Sequence, residues 1–384
     1  MFTVYSLNRG LRQAQAPFSF TKAKVPELVE GPSSVIKTTN FAPKLHGAEE
    51  IFTFVPSNLN FMEKIKQLQQ DFADFLAQTN LNGQPKELYE PISYTLLQSG
   101  KRMRPVLCLL ANEMFGGDEQ QALWPALALE TFHNFTLIHD DIMDKAPLRR
   151  GKETVYQKWN ADIAILSGDA MLAMAFQYAL KPQKGAELAK QLGKVAIEIC
   201  EGQQMDLNFE TLGNVTIDEY LEMIRLKTAV LLATALQMGA TVAGAIDSDI
   251  QHLYDFGINM GMSFQLQDDI LDLYSDVAVF GKRHGGDIAD NKKTYLYLKA
   301  LELASEKDRK RLEHLFTLRM DHDEEEKIEE VQAIYDNLHV KETVEQVMLD
   351  YDRKAIEALA AVSLPEERKK HLRTYAELLS GRKK

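Results

Sequence analysis

From about residue 60 onward, apolar residues recur at the three- and four-residue spacing of amphipathic helices. Residues 61–78, FMEKIKQLQQDFADFLAQ, put one apolar face on a single side of a helix: Phe61, Ile65, Leu68, Phe72, Phe75 and Leu76. Residues 164–180 and 228–244 are apolar on nearly all sides, as buried helices are. Few windows concentrate the β-branched and aromatic residues of strands. The pattern predicts one all-α domain of many packed helices over residues 59–384.

Residues 1–58 lack this periodicity and carry five of the prolines: Pro17, Pro26, Pro32, Pro43 and Pro56. We expect a poorly ordered N-terminal extension there. Several basic residues precede the first acid, Glu27, which resembles an organelle transit peptide. The interpretation that we favour is an upstream extension of no consequence, with the start codon placed too early, since Met62 opens the first clear helical segment.

Composition excludes several classes of protein. Of the 384 residues, 56 are Asp or Glu and 44 are Lys or Arg, giving a formal charge of -12, whereas sequence-independent nucleic-acid binding needs a broad basic surface. The two cysteines, Cys108 and Cys200, form no zinc motif and fit a reducing compartment. No apolar run reaches the roughly 18 residues of a membrane span. We therefore expect a soluble cytoplasmic protein.

Two aspartate clusters repeat the same spacing at distant points of the chain. DDIMD contains Asp140, Asp141 and Asp144, and DDILD contains Asp268, Asp269 and Asp272. In each cluster the first and last carboxylates lie one helical turn apart, among apolar neighbours that make their desolvation costly. A divalent cation removes that repulsion, and all-oxygen ligands favour Mg²⁺, which also takes phosphate oxygens. A single cluster of this kind can occur by chance on a surface helix. Two matching clusters predict two helices that face each other across a cavity, with a diphosphate bound between them.

Basic residues stand near both clusters, and a single one of them is ordinarily a solvated surface charge. They occur in four short segments: GKRMRP at 100–105, PLRRGKET at 147–154, RLKTA at 225–229 and GKRHGGDIADNKKT at 281–294. Arginine forks and lysines suit phosphate oxygens. Two acidic clusters with two sets of cations predict two phosphorylated substrates, one bound through metal and one bound directly.

These motifs together resemble the trans-prenyl diphosphate synthase family, also called polyprenyl synthetases. GKRMRP matches the family's GKxxRP motif, DDIMD and DDILD match its two aspartate-rich motifs, and the others follow in the family's order: RRG at 149–151, GQQMD at 202–206, KT at 227–228 and FQLQDD at 264–269. The resemblance covers residues 60 to about 380. It implies an all-α fold of about ten core helices around a deep central cavity, in a homodimer.

The resemblance also implies a reaction, the head-to-tail condensation of isopentenyl diphosphate with an allylic diphosphate (dimethylallyl, geranyl or farnesyl). We expect about three Mg²⁺ ions per active site. The implied Mg²⁺ ligands are Asp140, Asp144 and Asp268, with Asp141, Asp269 and Asp272 in or near that shell. The implied residues for the allylic diphosphate are Arg149, Lys227 and Lys292, with Lys282 nearby. Those for isopentenyl diphosphate are Lys101, Arg104, His133 and Arg150. Thr228, Gln265 and the Lys227 carbonyl would face a carbocation.

His133 has a simpler interpretation without the resemblance, because a lone histidine on an apolar helix is ordinarily a core residue with a satisfied hydrogen bond. No general base stands out in the sequence. The family's usual mechanism makes the released diphosphate the proton acceptor, which agrees with that absence.

Product length depends on what blocks the growing tail. Phe135 lies five positions before Asp140, about 7.5 Å along a helix at about 1.5 Å per residue, and the small Thr136 follows it. One aromatic residue followed by a small one resembles the synthases that stop at C20, so we favour geranylgeranyl diphosphate, with the C15 farnesyl diphosphate close behind. In the alternative interpretation, Phe135 is an ordinary core residue, and Met171 or Met174 closes the cavity that holds the growing tail.

Three alternatives remain open from the sequence. A long-chain polyprenyl diphosphate synthase shares the motifs. A class I terpene cyclase shares the first aspartate motif, but it normally has a different second metal motif and needs no GKxxRP. A non-catalytic subunit of a heteromeric synthase typically loses an aspartate motif, and both are complete here.

Overall fold

Helices make up nearly all of the chain that the structure describes. The computed structural model describes residues 57–275, 284–318 and 324–379. The helices are α1 Ser57–Gln78, α2 Lys86–Leu96, α3 Met103–Phe115, α4 Glu119–Met143, α5 Val155–Lys158, α6 Ala161–Ala179, α7 Gly185–Thr211, α8 Ile217–Ile224, α9 Val230–Val242, α10 Asp247–Tyr274, α11 Gly286–Ala289, α12 Tyr295–Leu303, α13 Glu306–Leu315, α14 Glu324–Asn337, α15 Val340–Ala361 and α16 Glu366–Leu379. A π-helical segment, Arg225–Ala229, joins α8 to α9.

Polar caps set the beginnings of several of these helices. The Asp118 side chain accepts a hydrogen bond from the Gln120 N–H at the start of α4, and Asn160 accepts one from the Ile163 N–H at the start of α6. Thr216 forms a reciprocal capping box with Glu219 at the start of α8. Each cap satisfies backbone donors that the first turn leaves unpaired, so these residues fix where the helices begin.

The apolar residues form two clusters. The larger one collects α1, α3, α4, α6 and α9, and the predicted face of α1 lies in it: Phe61, Ile65, Leu68, Phe72 and Leu76 are buried and Phe75 is partly buried. The smaller cluster gathers the C-terminal half of α10 with α8, α12, α14 and α15. α10 contributes residues to both clusters, so it runs through the whole folded unit.

The two helices that carry the aspartates both pack against α9, the helix that continues the π-helical segment. α4 contacts α9, and α10 contacts both α9 and the π-helical segment. Small residues allow the approach to α10, because a Cβ on Gly261 would lie 2.6 Å from the Ala229 Cα, and one on Gly257 would lie 2.4 Å from the Ala233 Cα. This packing fixes the register of α10 against the π-helical segment.

A short hairpin follows α4 and is the only sheet among the described residues. β1 (Leu148–Arg149) pairs antiparallel with β2 (Lys152–Glu153), with Leu148 opposite Glu153 and Arg149 opposite Lys152. The connecting residues Arg150 and Gly151 both have positive φ, 53° and 74°, as a tight two-residue hairpin turn requires. Arginine is an uncommon residue at such a φ, so the turn holds Arg150 in a strained conformation.

The all-α prediction is confirmed. Within the described residues, none of the helices is both long and apolar enough to cross a lipid bilayer. Cys108 is buried, Cys200 is exposed, and neither forms a disulfide. Residues 1–56 lie outside the described residues, so the predicted extension stays a prediction, as does the central cavity.

Candidate active site

Both aspartate clusters stand at the C-terminal end of a long helix. α4 ends at Met143, just after Asp140 and Asp141, and Asp144 is its C-cap residue. Asp268, Asp269 and Asp272 occupy the last two turns of α10, which ends at Tyr274. The C-terminus of a helix carries the negative end of its dipole, so carboxylates are disfavoured there. Each cluster therefore requires nearby positive charge.

The first cluster is split between two environments. Asp141 is buried and accepts hydrogen bonds from Arg149 Nε and an Arg149 guanidinium NH₂ group, both at 2.7 Å from Asp141 Oδ1. Asp140 is partly exposed; burial and the neighbouring Asp144 raise its pKa, against the opposing effects of Lys227 and Arg149. Asp144 is exposed. Arg149, predicted to hold the allylic diphosphate, is thus fixed in place by the first aspartate motif.

The second cluster is more deeply buried. Asp269 is 4% exposed, and burial, with the charge of Asp287, raises its pKa to about 8. The Tyr220 hydroxyl donates a 2.5 Å hydrogen bond to Asp269 Oδ2. The Asp287 backbone N–H donates to Asp272 Oδ2 at 2.9 Å. Crowded carboxylates with a raised pKa in a desolvated position favour the binding of a cation.

Lys227 and Thr228 both lie in the π-helical segment. Such segments are rare insertions in helices and occur often at functional sites, because they disturb the regular pairing of the backbone. The Thr228 hydroxyl donates to Gln265 Oε1 at 3.0 Å, and Gln265 Nε2 donates to Asp269 Oδ1 at 3.2 Å. The three residues predicted to face a carbocation are therefore brought together beside the second aspartate cluster.

Gly202 of the GQQMD motif lets α7 approach this segment. A Cβ at Gly202 would lie 2.6 Å from the Lys227 backbone N and 2.8 Å from the Leu226 Cβ, closer than such atoms approach in proteins. α7 therefore presses on the π-helical segment at the residue before Thr228, and Gly261 of α10 packs on it at Ala229. The position of Lys227 depends on both contacts.

Asp206, Tyr220 and Asp287 belong to the site, although sequence reasoning gave them no role. Asp206 accepts a 2.5 Å hydrogen bond from Lys227 Nζ, and Asp287 Oδ1 lies 3.3 Å from Lys292 Nζ. Asp206 also acts electrostatically on Asp140 and on Lys292, so it lies within range of both halves of the site. Two of these residues lie in motifs that the sequence already shows: Asp206 is the last residue of GQQMD, and Asp287 lies in GGDIAD.

The cations between the clusters are paired with these acids. Burial alone would lower the pKa of Lys292, but Asp287, Asp206 and Asp290 raise it. Lys227 is partly exposed beside Asp206. Lys282, predicted to lie near the allylic diphosphate, falls outside the described residues. Alternating acids and bases thus connect the two aspartate clusters.

The carboxylates would fit a Mg²⁺ ion that also takes ligands from a bound phosphate group. Within the described part of the chain, no group of three or more Asp, Glu, His or Cys side chains is arranged to hold a metal ion alone. Mg²⁺ does not need such a cage, because it takes one or two carboxylates, waters and phosphate oxygens. Two oxygen-only clusters, each with one buried aspartate and others that are more accessible, match that requirement, and a diphosphate would supply the remaining ligands.

A second basic group stands at the beginning of α3 and in the hairpin. Arg104 is partly exposed, its Nε atom is buried without a hydrogen-bond partner, and burial lowers its pKa to about 10. Burial and then the charges of Arg104 and Arg150 hold the pKa of His133 well below its usual value, so His133 is neutral near pH 7. A guanidinium atom of Arg150 lies 3.4 Å from the Ser99 carbonyl. The residues predicted for isopentenyl diphosphate are therefore near one another, and Arg104 retains an unused donor.

The candidate chain-length residues lie on α4. The Phe135 ring is partly buried and contacts the Phe132 ring at 5.5 Å and the His139 ring at 4.8 Å between centroids. Thr136 donates its hydroxyl to the His133 carbonyl at 2.8 Å. Met171 is fully buried in the larger apolar cluster, and Met174 is partly buried against it. Phe135 is thus only partly buried, whereas Met171 belongs to the core.

Comparison with known proteins identifies relatives across most of the chain. Residues 85–337 match the family model described as polyprenyl synthetase. The chain is similar to a short chain isoprenyl diphosphate synthase of Methanothermobacter thermautotrophicus, with 38% identity over 288 residues, 74% of this chain and 87% of that protein. It is also similar to a geranylfarnesyl diphosphate synthase of Natronomonas pharaonis, with 39% identity over 236 residues, 56% of this chain and 69% of that protein.

A solved structure shares the fold. The crystal structure of a geranylgeranyl pyrophosphate synthase aligns with a TM-score of 0.80 and 43% identity, covering 83% of this chain and 99% of that one. The similarity extends well beyond the aspartate motifs and includes the helices that position them.

The contact at Gly202 generates a test of the site. Gly202→Ala should weaken the binding of inorganic diphosphate in the presence of Mg²⁺ by roughly tenfold or more, because Lys227 must shift away from the added methyl group. The measurement is the rise of the thermal unfolding midpoint as diphosphate is added in the presence of Mg²⁺, from which the Kd of each variant is obtained.

Gly193→Ala is the matched control on the same helix. Its added Cβ would lie 3.7 Å from the Phe176 ring, an ordinary contact, so binding should be unchanged. Equal binding by wild type and Gly202→Ala would refute the dependence of the diphosphate site on this contact.

Proposed function

Since the chain belongs to the polyprenyl synthetase family and has its all-α fold, we propose that it condenses isopentenyl diphosphate head-to-tail with allylic diphosphates in a Mg²⁺-dependent reaction. It is a prenyltransferase of the geranylgeranyl and farnesyl diphosphate synthase type. The observation that supports the proposal is that both helices bearing the carboxylate clusters pack against α9, the helix that continues the π-helical segment with Lys227 and Thr228. Residues 59–384 would form the catalytic domain.

The allylic diphosphate would bind between the clusters. Asp140, Asp144 and Asp268 would hold the metal, with Asp141, Asp269 and Asp272 supporting them. Lys227, Arg149 and Lys292 would contact the phosphate oxygens, and each is oriented by a carboxylate: Asp206, Asp141 and Asp287. When bound, Mg²⁺ would act as a Lewis acid that neutralises charge on the departing diphosphate.

The chain's own groups would guide the carbon chemistry. Loss of diphosphate leaves an allylic carbocation, which the double bond of isopentenyl diphosphate attacks before a proton leaves. The Thr228 and Gln265 side-chain oxygens and the Lys227 carbonyl offer dipoles that would stabilise the cation. The surrounding apolar helices would exclude water that would quench it. The released diphosphate would accept the proton, so no side chain needs to act as the base.

Isopentenyl diphosphate would bind at the second basic group. Lys101, Arg104 and Arg150 would contact its phosphates, and the unpartnered Nε of Arg104 offers a donor for one of them. Neutral His133 would donate a hydrogen bond without adding charge. This second anion site, together with a complete second aspartate cluster, argues against the cyclase and non-catalytic alternatives.

We favour geranylgeranyl diphosphate, C20, as the product, with C15 close behind. The partial burial of Phe135 supports a role as the floor of the tail-binding cavity. Relatives named as a short chain isoprenyl diphosphate synthase and a geranylfarnesyl diphosphate synthase support a product in the short-chain range. A long-chain product remains the alternative within the family.

We propose that the protein is cytoplasmic, as the sequence predicts. We also propose that it forms a homodimer. α6 and α7 carry apolar side chains in water: Leu166 is 59% exposed and Ile197 is 63% exposed. The two helices pack against each other, and we propose that their exposed apolar side chains lie in the dimer interface.

A product assay tests the function. Purified protein receives Mg²⁺, labelled isopentenyl diphosphate and, in separate reactions, C5, C10 or C15 allylic diphosphates; dephosphorylated products are sized by chromatography. We expect a C20 product from all three primers. Products that stop at C15 or are longer than C20 would agree with the proposed reaction but contradict the role of Phe135 as the floor of the cavity. If folded protein consumes no isopentenyl diphosphate, the proposed synthase activity is wrong.

Phe135→Ala should lengthen the product beyond that of the wild type, because it removes the aromatic ring from the proposed floor. Phe75→Ala is the matched control: it deletes another partly buried aromatic of the same apolar cluster, on α1, and should lower stability without changing product length. A longer product from Met171→Ala, with none from Phe135→Ala, would move the floor to α6.

Replacing Leu166 and Ile197 together by lysine should convert the dimer to monomer, since two charges cannot be buried unpaired in an interface. Sedimentation velocity measures the mass. Leu303→Lys, at an exposed apolar position on α12, is the control and should remain dimeric. A dimeric double variant would place the interface elsewhere, and a monomeric wild type would refute the homodimer.

A further inference from the structure

Arg102 lies between two residues of the proposed isopentenyl diphosphate site, but its side chain points into the protein. Its guanidinium donates to the carbonyls of Leu96 and Gln98, both at 2.6 Å, and to Glu130 Oε1 at 2.5 Å. Only 10% of the Arg102 side chain is exposed. One side chain thus ties the loop before α3 to the C-terminal end of α2 and to α4.

The backbone of Arg102 also has an unusual conformation. Its φ of 47° and ψ of 40° are left-handed, a conformation that costs free energy for a residue with a Cβ. The preceding carbonyl, of Lys101, accepts a 2.7 Å hydrogen bond from Gln69 Nε2 of α1. The loop is therefore held on both sides of the peptide bond that joins Lys101 to Arg102, which sets the direction of the Lys101 side chain.

Glu130 is a buried carboxylate in a region that would bind an anion. It is 3% exposed and accepts from Arg102 and, at 3.3 Å, from Asn134 Nδ2. Its charge opposes the lowering of the Arg104 and Arg150 pKa values that burial causes. Glu130 therefore balances three guanidinium groups that would otherwise repel one another.

We propose that Arg102 and Glu130 are positioning residues, a pair that holds Lys101, Arg104 and Arg150 in the arrangement that binds isopentenyl diphosphate. Neither residue contacts the substrate. The inference rests on the proposed function, and it deepens it by naming what organises one of the two substrate sites.

A purely electrostatic effect predicts the opposite result. A carboxylate near a diphosphate repels it, so removing that charge would strengthen binding if the arginines kept their places. Loss of the ion pair leaves Arg102 without its partner and lets the guanidinium groups separate, which weakens binding. The sign of the change distinguishes the two effects.

The experiment measures binding and kinetics for Glu130→Gln, Arg102→Gln and the double variant. We expect the Kd for isopentenyl diphosphate, by titration calorimetry, and its KM to rise by about tenfold or more, while the KM for geranyl diphosphate changes by less than about twofold. The double variant should lose less than the product of the two single effects, because the residues act together. Arg102→Lys, which keeps the charge but not the fork, should fall between wild type and Arg102→Gln.

Asp249→Asn is the matched control. Asp249 is also a buried carboxylate, in the first turn of α10 at the end opposite Asp268, where it accepts from the Ser363 N–H and hydroxyl at 2.8 and 2.6 Å. Its replacement should lower the unfolding midpoint and leave both KM values unchanged. If the Glu130 and Arg102 variants behave like this control, or bind isopentenyl diphosphate more tightly, the positioning role is wrong.

The binding titration of the wild type separates this inference from the proposed function. Wild-type protein that does not bind isopentenyl diphosphate would refute the function itself. Binding by the wild type with an unchanged Kd in the variants would refute the pair alone. If Glu130→Gln does not fold, the milder Arg102→Lys decides, since an unchanged Kd there would overturn the proposal.

Discussion

Carboxylates concentrated at the C-terminal ends of α4 and α10 set the central constraint on this structure. Each cluster adds negative charge to the negative end of a helix dipole, and Asp141 and Asp269 are also removed from water. Such an arrangement is stable only with positive charge close by. Arg149 supplies it at Asp141, and Lys227 acts on Asp140. In the proposed function Mg²⁺ supplies the rest, so the same repulsion that costs stability creates affinity for the metal and its diphosphate.

The π-helical segment is held by close packing. α7 and α10 approach it where glycine leaves room, at Gly202 and Gly261. The segment itself departs from regular α-helix, and its Lys227 and Thr228 contact Asp206 and Gln265. Close packing at these glycines therefore sets the position of Lys227 relative to the carboxylates around it.

The second basic group follows a different principle. Positive charges are gathered there without an equal number of acids, and the structure places one buried carboxylate, Glu130, among them. Arg102 and Arg150 both have a left-handed backbone conformation, which is strained for a residue with a side chain. Hydrogen bonds of the side chain hold Arg102 in this conformation, and the tight hairpin turn holds Arg150. In the proposed function these groups would be held in place before the anion binds, which lowers the cost of ordering them on binding.

The sequence by itself determined the fold class and the chemical elements of the site. Helical periodicity identified the buried face of α1, and the two aspartate motifs identified a matched pair of acid clusters, because spacing along a helix decides which side chains share a face. The tertiary structure decided which charges pair: Asp206 with Lys227, Asp287 with Lys292, and Arg102 with Glu130. These partners are 21, 5 and 28 residues apart, and the two distant pairs depend on how helices pack. It also decided where the helix between α8 and α9 departs from the α-helical pattern. Local sequence pattern does not determine the contacts between distant residues, because their energies depend on burial and on neighbours that only the folded chain brings together.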